Sequence, residues 1–307
     1  MSKSPAPIAL FVYNRLDHTR RTVEALAKNQ LAKESDLFIF SDAAKDKAGT
    51  VRVTQIRDYI KNISGFRSVT IVERPENWGL AHSITSGVTE LVEKFDRVIV
   101  LEDDLVTSPH FLSFMNDGLE LYADTDTVAE IHGYVYPVDG LPETFFIKGA
   151  DCWGWATWKR AWKYYEPDGV KLLTELKKRR LTREFDFDGN YPYTMMLENQ
   201  IMKVNDSWAV RWYASCFLAG KLTLYPGRSL VVNIGMDDSG ENSTGTKIYE
   251  VSLSPAPVAI IRATPTEDLL AKEKFAQFLA TTGTGRTVIQ LKFLVKKLLF
   301  NLRKFFS

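Results

Sequence analysis

Three adjacent acidic residues at the end of an apolar segment are the residues of this chain best suited to chemistry. Val98–Leu101 contains only Val, Ile and Leu, and Glu102, Asp103 and Asp104 follow it directly. Adjacent carboxylates repel one another and are costly unless a cation neutralises them. Hard oxygen ligands suit Mg²⁺ and Mn²⁺, so a divalent metal that holds a phosphorylated substrate is the simplest such cation. An acidic turn facing water is the alternative, and the buried character of the strand favours the metal.

The acidic residues close the fourth of four apolar strands that alternate with helices. Apolar runs without polar alternation are typical of strands buried on both faces of a parallel sheet. The pattern predicts an α/β fold in which helices flank a mixed, mainly parallel sheet. The predicted strands are Ile8–Tyr13, Leu37–Phe40, Ser68–Val72 and Val98–Leu101, and the predicted helices between them cover about 17–29, 51–63 and 80–94.

Polar side chains follow every one of these strands. The carboxyl ends of parallel strands meet at one edge of the sheet, where open α/β sheets bind their ligands. Neither a G-x-G-x-x-G motif nor a P-loop follows the first strand, which disfavours a dinucleotide dehydrogenase or a P-loop enzyme. Besides the acidic triplet, the strand-end residues are Asn14, Arg15, Asp42, Arg74 and Asn77.

Composition and charge are those of an ordinary soluble globular protein. The 307 residues are 45% hydrophobic and 25% charged, and the net charge of +1 gives no general attraction to nucleic acid. Cys152 and Cys216 are too few for a disulfide framework and fit a reducing, cytoplasmic compartment. The first residues lack the pattern of a secretory signal, and no segment predicts a membrane span. We expect a domain over 1–265, with halves of about 1–125 and 126–265, and a helical tail over 266–307.

Six motifs in this order resemble the GT-A nucleotide-sugar glycosyltransferases, specifically the bacterial members described as family-2-like. The resemblance implies a GT-A fold, Rossmann-like in its first half. It also implies metal-dependent, inverting transfer from a nucleotide-diphosphate sugar, with UDP favoured, to a glycan hydroxyl or a lipid-linked acceptor, as in O-antigen or capsule synthesis. The Glu-Asp-Asp-Leu segment also resembles N-acetylglucosaminyltransferase I. The motifs are Val12–Arg15, Phe40–Asp42, Asn77–Ala81, Leu101–Leu105, Cys152–Trp158 and Asn233–Asp237.

The resemblance assigns donor-binding roles to the strand-end residues. Asp104 would bind the Mn²⁺ or Mg²⁺ that bridges the diphosphate, and Glu102 and Asp103 would contact ribose, sugar or metal-bound water. An alternative for Arg15 is a salt bridge with Asp17 or with a carboxylate of a neighbouring loop. The residues expected against the nucleotide base, ribose or diphosphate are Asn14, Arg15, Asp42, Arg74 and Asn77.

The catalytic base of an inverting transfer is a carboxylate that takes the proton of the acceptor hydroxyl. The resemblance places it at Glu198, within Met196–Gln200. Asp151, beside the aromatic cluster, and Asp237 are the rivals.

The acceptor side is expected around the aromatic cluster and a late polar loop. Trp153 and Trp155 serve equally well as core residues or as a stacking platform for a sugar, and Gly154 between them permits close backbone approach. Related sequences carry a His in the late loop where Asn242 stands here, and an amide can still donate to phosphate or offer a carbonyl to a metal. Asp237 and Asn242 are therefore further candidate contacts.

The last residues predict a basic amphipathic helix. Apolar residues at helical spacing and neighbouring lysines between Thr287 and Phe306 favour a peripheral location on the inner face of the membrane. A helix docked on the domain or on a partner subunit is the alternative.

Two other functions compete with glycosyl transfer. A sugar-phosphate nucleotidylyltransferase usually has a Gly-rich loop after the first strand, and Asn14–Leu16 lacks it. A catalytically weakened sugar-binding module is suggested by Asn242 alone.

Overall fold

One eight-stranded mixed sheet organises the residues that the computed structural model describes, which are 4–237 and 246–282. Its strand order is β3-β2-β1-β4-β8-β6-β9-β7. The first four strands are parallel, and β8 joins β4 to β6 by antiparallel pairing on both sides. A separate antiparallel pair is formed by β5 and β10. The strands are β1 Ile8–Val12, β2 Asp36–Ser41, β3 Ser68–Glu73, β4 Arg97–Glu102, β5 Leu105–Thr107, β6 Val128–His132, β7 Thr144–Lys148, β8 Trp155–Trp158, β9 Leu222–Pro226 and β10 Val231–Asn233.

The helices connect these strands. The parallel strands β1, β2, β3 and β4 are linked by α1, α2 and α3, the right-handed crossover arrangement that parallel pairing requires. The helices are α1 Leu16–Ala27, α2 Thr50–Ile60, α3 Gly79–Phe95, α4 Phe111–Leu121, α5 Lys159–Trp162, α6 Gly169–Lys178, α7 Thr182–Phe185, α8 Tyr193–Ile201, α9 Trp208–Leu218 and α10 Leu269–Thr282.

The core lies on both faces of the central strands. All five residues of β1 are buried, and so are Val98 to Leu101 of β4, which agrees with the unbroken apolar runs in the sequence. The predicted α/β class and mainly parallel sheet are therefore confirmed. The order 3-2-1-4 of the parallel strands is that of a Rossmann-type half, in which the chain reverses its direction of winding between β1 and β4.

The far end of the sheet has its own apolar cluster, to which α10 contributes. Phe275 contacts Tyr136, Phe145 and Tyr225 with ring centroids 4.8–5.6 Å apart. The described part of the predicted tail is therefore a helix packed on the sheet. The basic amphipathic segment and Asn242 lie outside the described residues. No helix in the described ranges has the length and apolarity needed to cross a bilayer.

Candidate active site at the carboxyl edge of the sheet

The acidic turn after β4 is held by Arg15, which follows β1. Its guanidinium donates to Asp103 and, at 2.7 Å, to Oδ2 of Asp104. Strand β1 lies beside β4, with Phe11 opposite Glu102, so the two strand ends bring these groups together. The hydroxyl of Thr22 donates to the carbonyl of Asp103 at 2.8 Å and fixes the turn. Arg15 thus forms a salt bridge with carboxylates of a neighbouring loop, which is the alternative that the sequence offered for this residue.

Burial makes the carboxyl groups of Glu102 and Asp103 hard to ionise. Burial, with the charges of Asp104 and Asp103 added, raises the pKa of Glu102 to about 8, and Arg15 opposes the rise. Burial also raises the pKa of Asp103 to about 6, although the charge and hydrogen bond of Arg15 lower it. For Arg15, burial lowers the pKa, but the two aspartates outweigh burial and the pKa ends above its ordinary value. The turn thus contains three carboxyl groups and one guanidinium, so a single positive charge does not balance it when all three carboxyl groups are ionised.

A second segment of the chain closes over the acidic turn. The amide of Ile234, just after β10, donates to the carbonyl of Asp104 at 2.9 Å. A Cβ added to Gly235 would lie 2.1 Å from Oδ2 of Asp104, so only glycine allows this approach. Nε2 of His18 lies 3.1 Å from Oδ2 of Asp237 and 3.2 Å from the carbonyl of Ile234. Asp237 is therefore held near the acidic turn by His18, and its contact with a sugar or acceptor stays a prediction.

The donor set suits a hard divalent cation that keeps several non-protein ligands. No cluster of three or more His, Cys, Asp or Glu side chains poised around a common metal position occurs within 4–237 and 246–282. Oδ2 of Asp103 is buried and accepts no hydrogen bond there, and Asp104 is partly exposed beside it. Mg²⁺ and Mn²⁺ prefer one or two carboxylates completed by water and phosphate oxygens. The acidic turn fits such an ion.

Asp42, at the end of β2, shapes the adjacent turn. Its Oδ1 accepts from the amides of Ala43 and Trp78, both at 2.9 Å. Its Oδ2 accepts from the Gly79 amide at 2.9 Å and from Nδ2 of Asn77 at 3.2 Å. The carboxylate thereby caps the amino end of α3. Four protein donors occupy its acceptor positions, so the described contacts make Asp42 a positioning residue, and its contact with a base stays a prediction.

A planar stack stands beside this turn. The guanidinium carbon of Arg74 lies 4.0 Å from the centroid of the Trp78 ring and 5.3 Å from that of Phe40. The Trp78 ring stacks on His82 at 4.5 Å. Arg57 donates to the carbonyl of Arg74 at 2.7 Å and so fixes the end of β3. The predicted donor residues of β2 and β3 thus lie together. In the sheet, β2 is two strand spacings (roughly 10 Å) and β3 three (roughly 14 Å) from β4, which carries the acidic turn.

The aromatic cluster divides into a core residue and a surface residue. Trp155 is completely buried among Trp162, Trp208 and Trp212, so the expected sugar contact is wrong for Trp155. Trp153 is partly exposed and contacts the ring of Tyr249 at 5.6 Å, which leaves it available to a ligand.

Gly154 is required by its backbone. Its φ is 74°, its carbonyl accepts from Gly133 at 2.7 Å, and a Cβ there would lie 2.8 Å from Val231. The glycine therefore has a structural role: its carbonyl joins the start of β8 to the end of β6, and its missing side chain leaves room for Val231 of β10.

The structure separates the candidate bases. Glu198 on α8 forms an ion pair at 3.0 Å with Lys177 on α6, and no described contact joins it to the acidic turn. Asp151 is partly exposed and precedes Cys152. Burial raises the pKa of the Cys152 thiol, and Asp151, Glu102 and Asp104 all add to the rise. Cys152 is therefore within electrostatic reach of both Asp151 and the acidic turn, which favours Asp151 over Glu198.

Three contributors could not be found from the sequence. His18 and His132 lie in segments that lack a recognisable ligand pattern, and Trp78 lies in the Asn77–Ala81 motif without an expected role of its own; the fold brings the two histidines to carboxylates and Trp78 to Arg74. Asn14 lies half-buried in the turn after β1, where the sequence placed it.

Comparisons with known proteins give distant structural similarities. No family model and no curated protein matches the chain. The mannosyltransferase PcManGT from Pyrobaculum calidifontis, in complex with GDP-Man and Mn²⁺, is similar over 44% of this chain and 36% of its own, at 17% identity and a TM-score of 0.33. Two structures of S. aureus TarS are similar over 47% and 57% of this chain, at 16% and 13% identity and TM-scores of 0.30 and 0.33. These matches span 24% and 49% of the TarS chains, so this chain covers less than half of each of the three.

Proposed function

We propose that the protein is a metal-dependent, inverting glycosyltransferase. It would move a sugar from a nucleotide-diphosphate donor to a hydroxyl of a growing surface glycan or of a lipid-linked acceptor. The observation that carries the proposal is the acidic turn of Glu102, Asp103 and Asp104, held by Arg15 where the sheet reverses its winding. Ligands of open α/β sheets bind at this position.

The donor would lie across the carboxyl ends of β1, β2 and β4. The exposed ring of His82, which stacks on Trp78, would offer a planar surface for a nucleobase, and Asp42 keeps the turn that carries Trp78 in place. UDP is our first choice of nucleotide. Asn14, Asn77 and Arg15 line the path from this surface to the acidic turn.

Asp104, with Asp103 and Glu102 beside it, would hold Mn²⁺ or Mg²⁺. When bound, the ion supplies charge neutralisation for the departing diphosphate. Arg15 holds the two aspartates in one orientation, and the Ile234–Asp237 segment shields them from above. The protein itself contributes alignment, because the donor must present the anomeric carbon to the acceptor hydroxyl.

Asp151 would act as the general base, with Trp153 as the acceptor platform. Asp151 and the carboxylates Glu102 and Asp104 of the acidic turn all act electrostatically on the thiol of Cys152, which supports a location of Asp151 near the turn. Asp151 would take the proton of the attacking hydroxyl as the new glycosidic bond forms and the bond to the diphosphate breaks. Glu198, the base that the sequence favours, is engaged with Lys177.

Binding of nucleotide sugars tests the proposal. UDP-, GDP- and dTDP-sugars are screened by thermal shift with and without Mn²⁺, and release of nucleoside diphosphate is then measured for those that bind. We expect Mn²⁺-dependent binding that Asp104→Ala abolishes. Asp58→Ala, at an exposed aspartate of α2 that pairs with Lys61 at 3.5 Å, is the control and should behave like the wild type. Equal binding with and without Mn²⁺, or full activity of Asp104→Ala, would refute the role of the acidic turn.

Two further substitutions test the base. Asp151→Asn should lower nucleoside diphosphate release at least a hundredfold with donor affinity unchanged, within the range general bases contribute. Glu198→Gln should remain near the wild-type rate. The opposite pattern would return the role to Glu198.

Association with the inner membrane face is proposed from the basic amphipathic segment between Thr287 and Phe306 alone. Sedimentation of the full chain with anionic vesicles tests it, and equal sedimentation after removal of that segment would contradict it.

A further inference from the structure

A completely buried Glu-His pair leads from the interior of the sheet to Asp151. Glu130 and His132 are alternate residues of β6, so their side chains lie on the same face, and both are fully buried. Nδ1 of His132 lies 3.6 Å from Oε1 of Glu130, and its Nε2 lies 3.8 Å from Oδ2 of Asp151. The imidazole is thus enclosed between two carboxyl groups, of which only that of Asp151 reaches the surface.

Glu130 is fixed from two other directions. Its Oε2 accepts from Nε1 of Trp212 at 2.6 Å, and its Oε1 accepts from the backbone amide of Asp151 at 2.9 Å. Glu130 therefore fixes the main chain of Asp151. It also lies against the imidazole of His132, whose other nitrogen is near the side chain of Asp151.

The ring nitrogens of His132 have no hydrogen-bond partner within 3.5 Å in the described part of the chain. A buried imidazole without partners is unfavourable, and a histidine that only filled space would be replaced without loss by an apolar ring. A shift of less than 1 Å would bring each nitrogen into hydrogen-bond range of its carboxyl group. Polar groups aimed in this way at a candidate base indicate a role beyond packing.

The charge states of Glu130 and His132 agree with hydrogen bonds that would run in one direction, from Glu130 through His132 to Asp151. Burial raises the pKa of Glu130 well above its ordinary value, and burial lowers the pKa of His132 to about 4, although Asp151 opposes the second shift. After such a shift in position, a neutral Glu130 would donate to Nδ1, and the proton of the neutral imidazole would then be on Nε2, the nitrogen 3.8 Å from Oδ2 of Asp151.

We propose that His132 is a positioning residue whose Nε2–H holds the carboxylate of Asp151 in the orientation that accepts the proton of the acceptor hydroxyl, with Glu130 fixing its tautomer. This inference rests on the proposed function, in which Asp151 is the general base. A hydrogen bond to the charged form of a carboxylate also keeps that carboxylate ionised at lower pH.

The phenols and the thiol around this chain stay neutral in the working range of pH, and Glu102, which acts on the thiol of Cys152, has a pKa raised to about 8, well above that of an ordinary carboxyl group. Tyr225 lies against the imidazole with ring centroids 5.0 Å apart. Burial raises the pKa of every phenol and thiol within electrostatic reach of Asp151, so none of them titrates with it. These groups are Tyr134, Tyr136, Tyr191, Tyr193, Tyr213, Tyr225 and Cys152.

Three substitutions of His132 in the full chain test the inference. His132→Phe keeps a ring but removes both nitrogens. His132→Gln places an amide N–H near the position of Nε2, whereas the shorter side chain of His132→Asn reaches only the position of Nδ1. The assay is Mn²⁺-dependent release of nucleoside diphosphate from the donor that the wild type hydrolyses fastest, followed against pH. Water then replaces the acceptor hydroxyl as the group that Asp151 deprotonates.

We expect His132→Phe and His132→Asn to lower kcat at least tenfold with an unchanged KM for the donor. Loss of one hydrogen bond to a charged group should move the acidic limb of the pH profile upward by about one pH unit. His132→Gln should retain kcat within threefold and keep the wild-type limb. A residue that served packing alone would change the melting temperature without moving the limb.

The inference would be overturned if the acidic limb of the pH profile stayed in place in His132→Phe, or if the Gln and Asn variants were equally active. The proposed function would still stand in that case, provided that the wild type showed Mn²⁺-dependent activity. If Phe does not fold, the comparison of Gln with Asn decides. If the wild type released no nucleoside diphosphate from any donor, the proposed function would fall and the inference with it.

Discussion

Removing the guanidinium of Arg15 should expose how strongly the acidic turn depends on a cation. In Arg15→Met the carboxylates of Asp103 and Asp104 keep their partly buried positions but lose the donor at 2.7 Å and its charge. Breaking one side of a buried ion pair costs about 3–5 kcal/mol, because the remaining charge stays unpaired. For a domain of this size about 2 °C of melting temperature is lost per kcal/mol, so we expect a drop of roughly 6–10 °C.

The deficit should depend on pH in a defined direction. Glu102 and Asp103 already have raised pKa values of about 8 and about 6, and loss of Arg15 raises both further. A carboxyl group with a raised pKa binds protons more tightly in the fold than in the unfolded chain. Stability therefore falls as pH rises from the unfolded pKa toward the folded pKa. The variant should be least stable, relative to the wild type, at about pH 8 and above.

Thermal melts at pH 6 and pH 8, with and without Mn²⁺, measure this effect. Mn²⁺ should raise the melting temperature of Arg15→Met more than that of the wild type, because it replaces the missing charge. Arg67→Met is the matched control. Arg67 pairs with Asp36 at the opposite edge of the sheet, where it is exposed, and its loss should cost about 1 kcal/mol or less. If Arg15→Met melts with the control at pH 8, the electrostatic account of the turn is wrong.

Further predictions concern the metal, the closing segment and the tryptophans. Calorimetry should show that the affinity for Mn²⁺ rises between about pH 6 and pH 8, because Glu102 and Asp103 must ionise. The rise should be roughly tenfold per pH unit for each proton displaced. An affinity that did not change with pH would contradict this. Gly235→Ala, whose Cβ would lie 2.1 Å from Asp104, should weaken Mn²⁺-dependent donor binding about tenfold by the same method, whereas Gly49→Ala, with its nearest contacts at 3.6 Å, should not. Trp155→Ala should cost about 3–5 kcal/mol in chemical denaturation, and Trp153→Ala much less while raising the acceptor KM; equal losses would place Trp153 in the core as well.

The sequence predicts the first half of this fold, about residues 1–125, well because its signals are local. Unbroken apolar runs such as Ile8–Val12 and Val98–Leu101 can only be buried strands, and the polar residues after them must then share one edge. The ion pair of Arg15 with the acidic turn follows from that alignment, and the sequence already offers it as an alternative.

The second half, about residues 126–265, is less predictable because its contacts join distant segments. Nothing near Glu198 indicates that Lys177 will pair with it, and nothing near Trp155 distinguishes a buried ring from an exposed one. The pairing of β8 between β4 and β6 decides that Trp155 faces the core and that His132 faces Asp151. Such long-range pairing leaves no periodic trace in the chain.

The short pair of β5 and β10 has a consequence for protein engineering. It ties the residues after Asp104 to the segment before Gly235, about 130 positions later, through Val106 opposite Val232 and the bond from Ile234 to Asp104. A chimera that exchanged the first 125 residues for those of another protein would separate two strands that pair with each other. Grafts of the amino-terminal half should therefore include Val231–Asp237 as well.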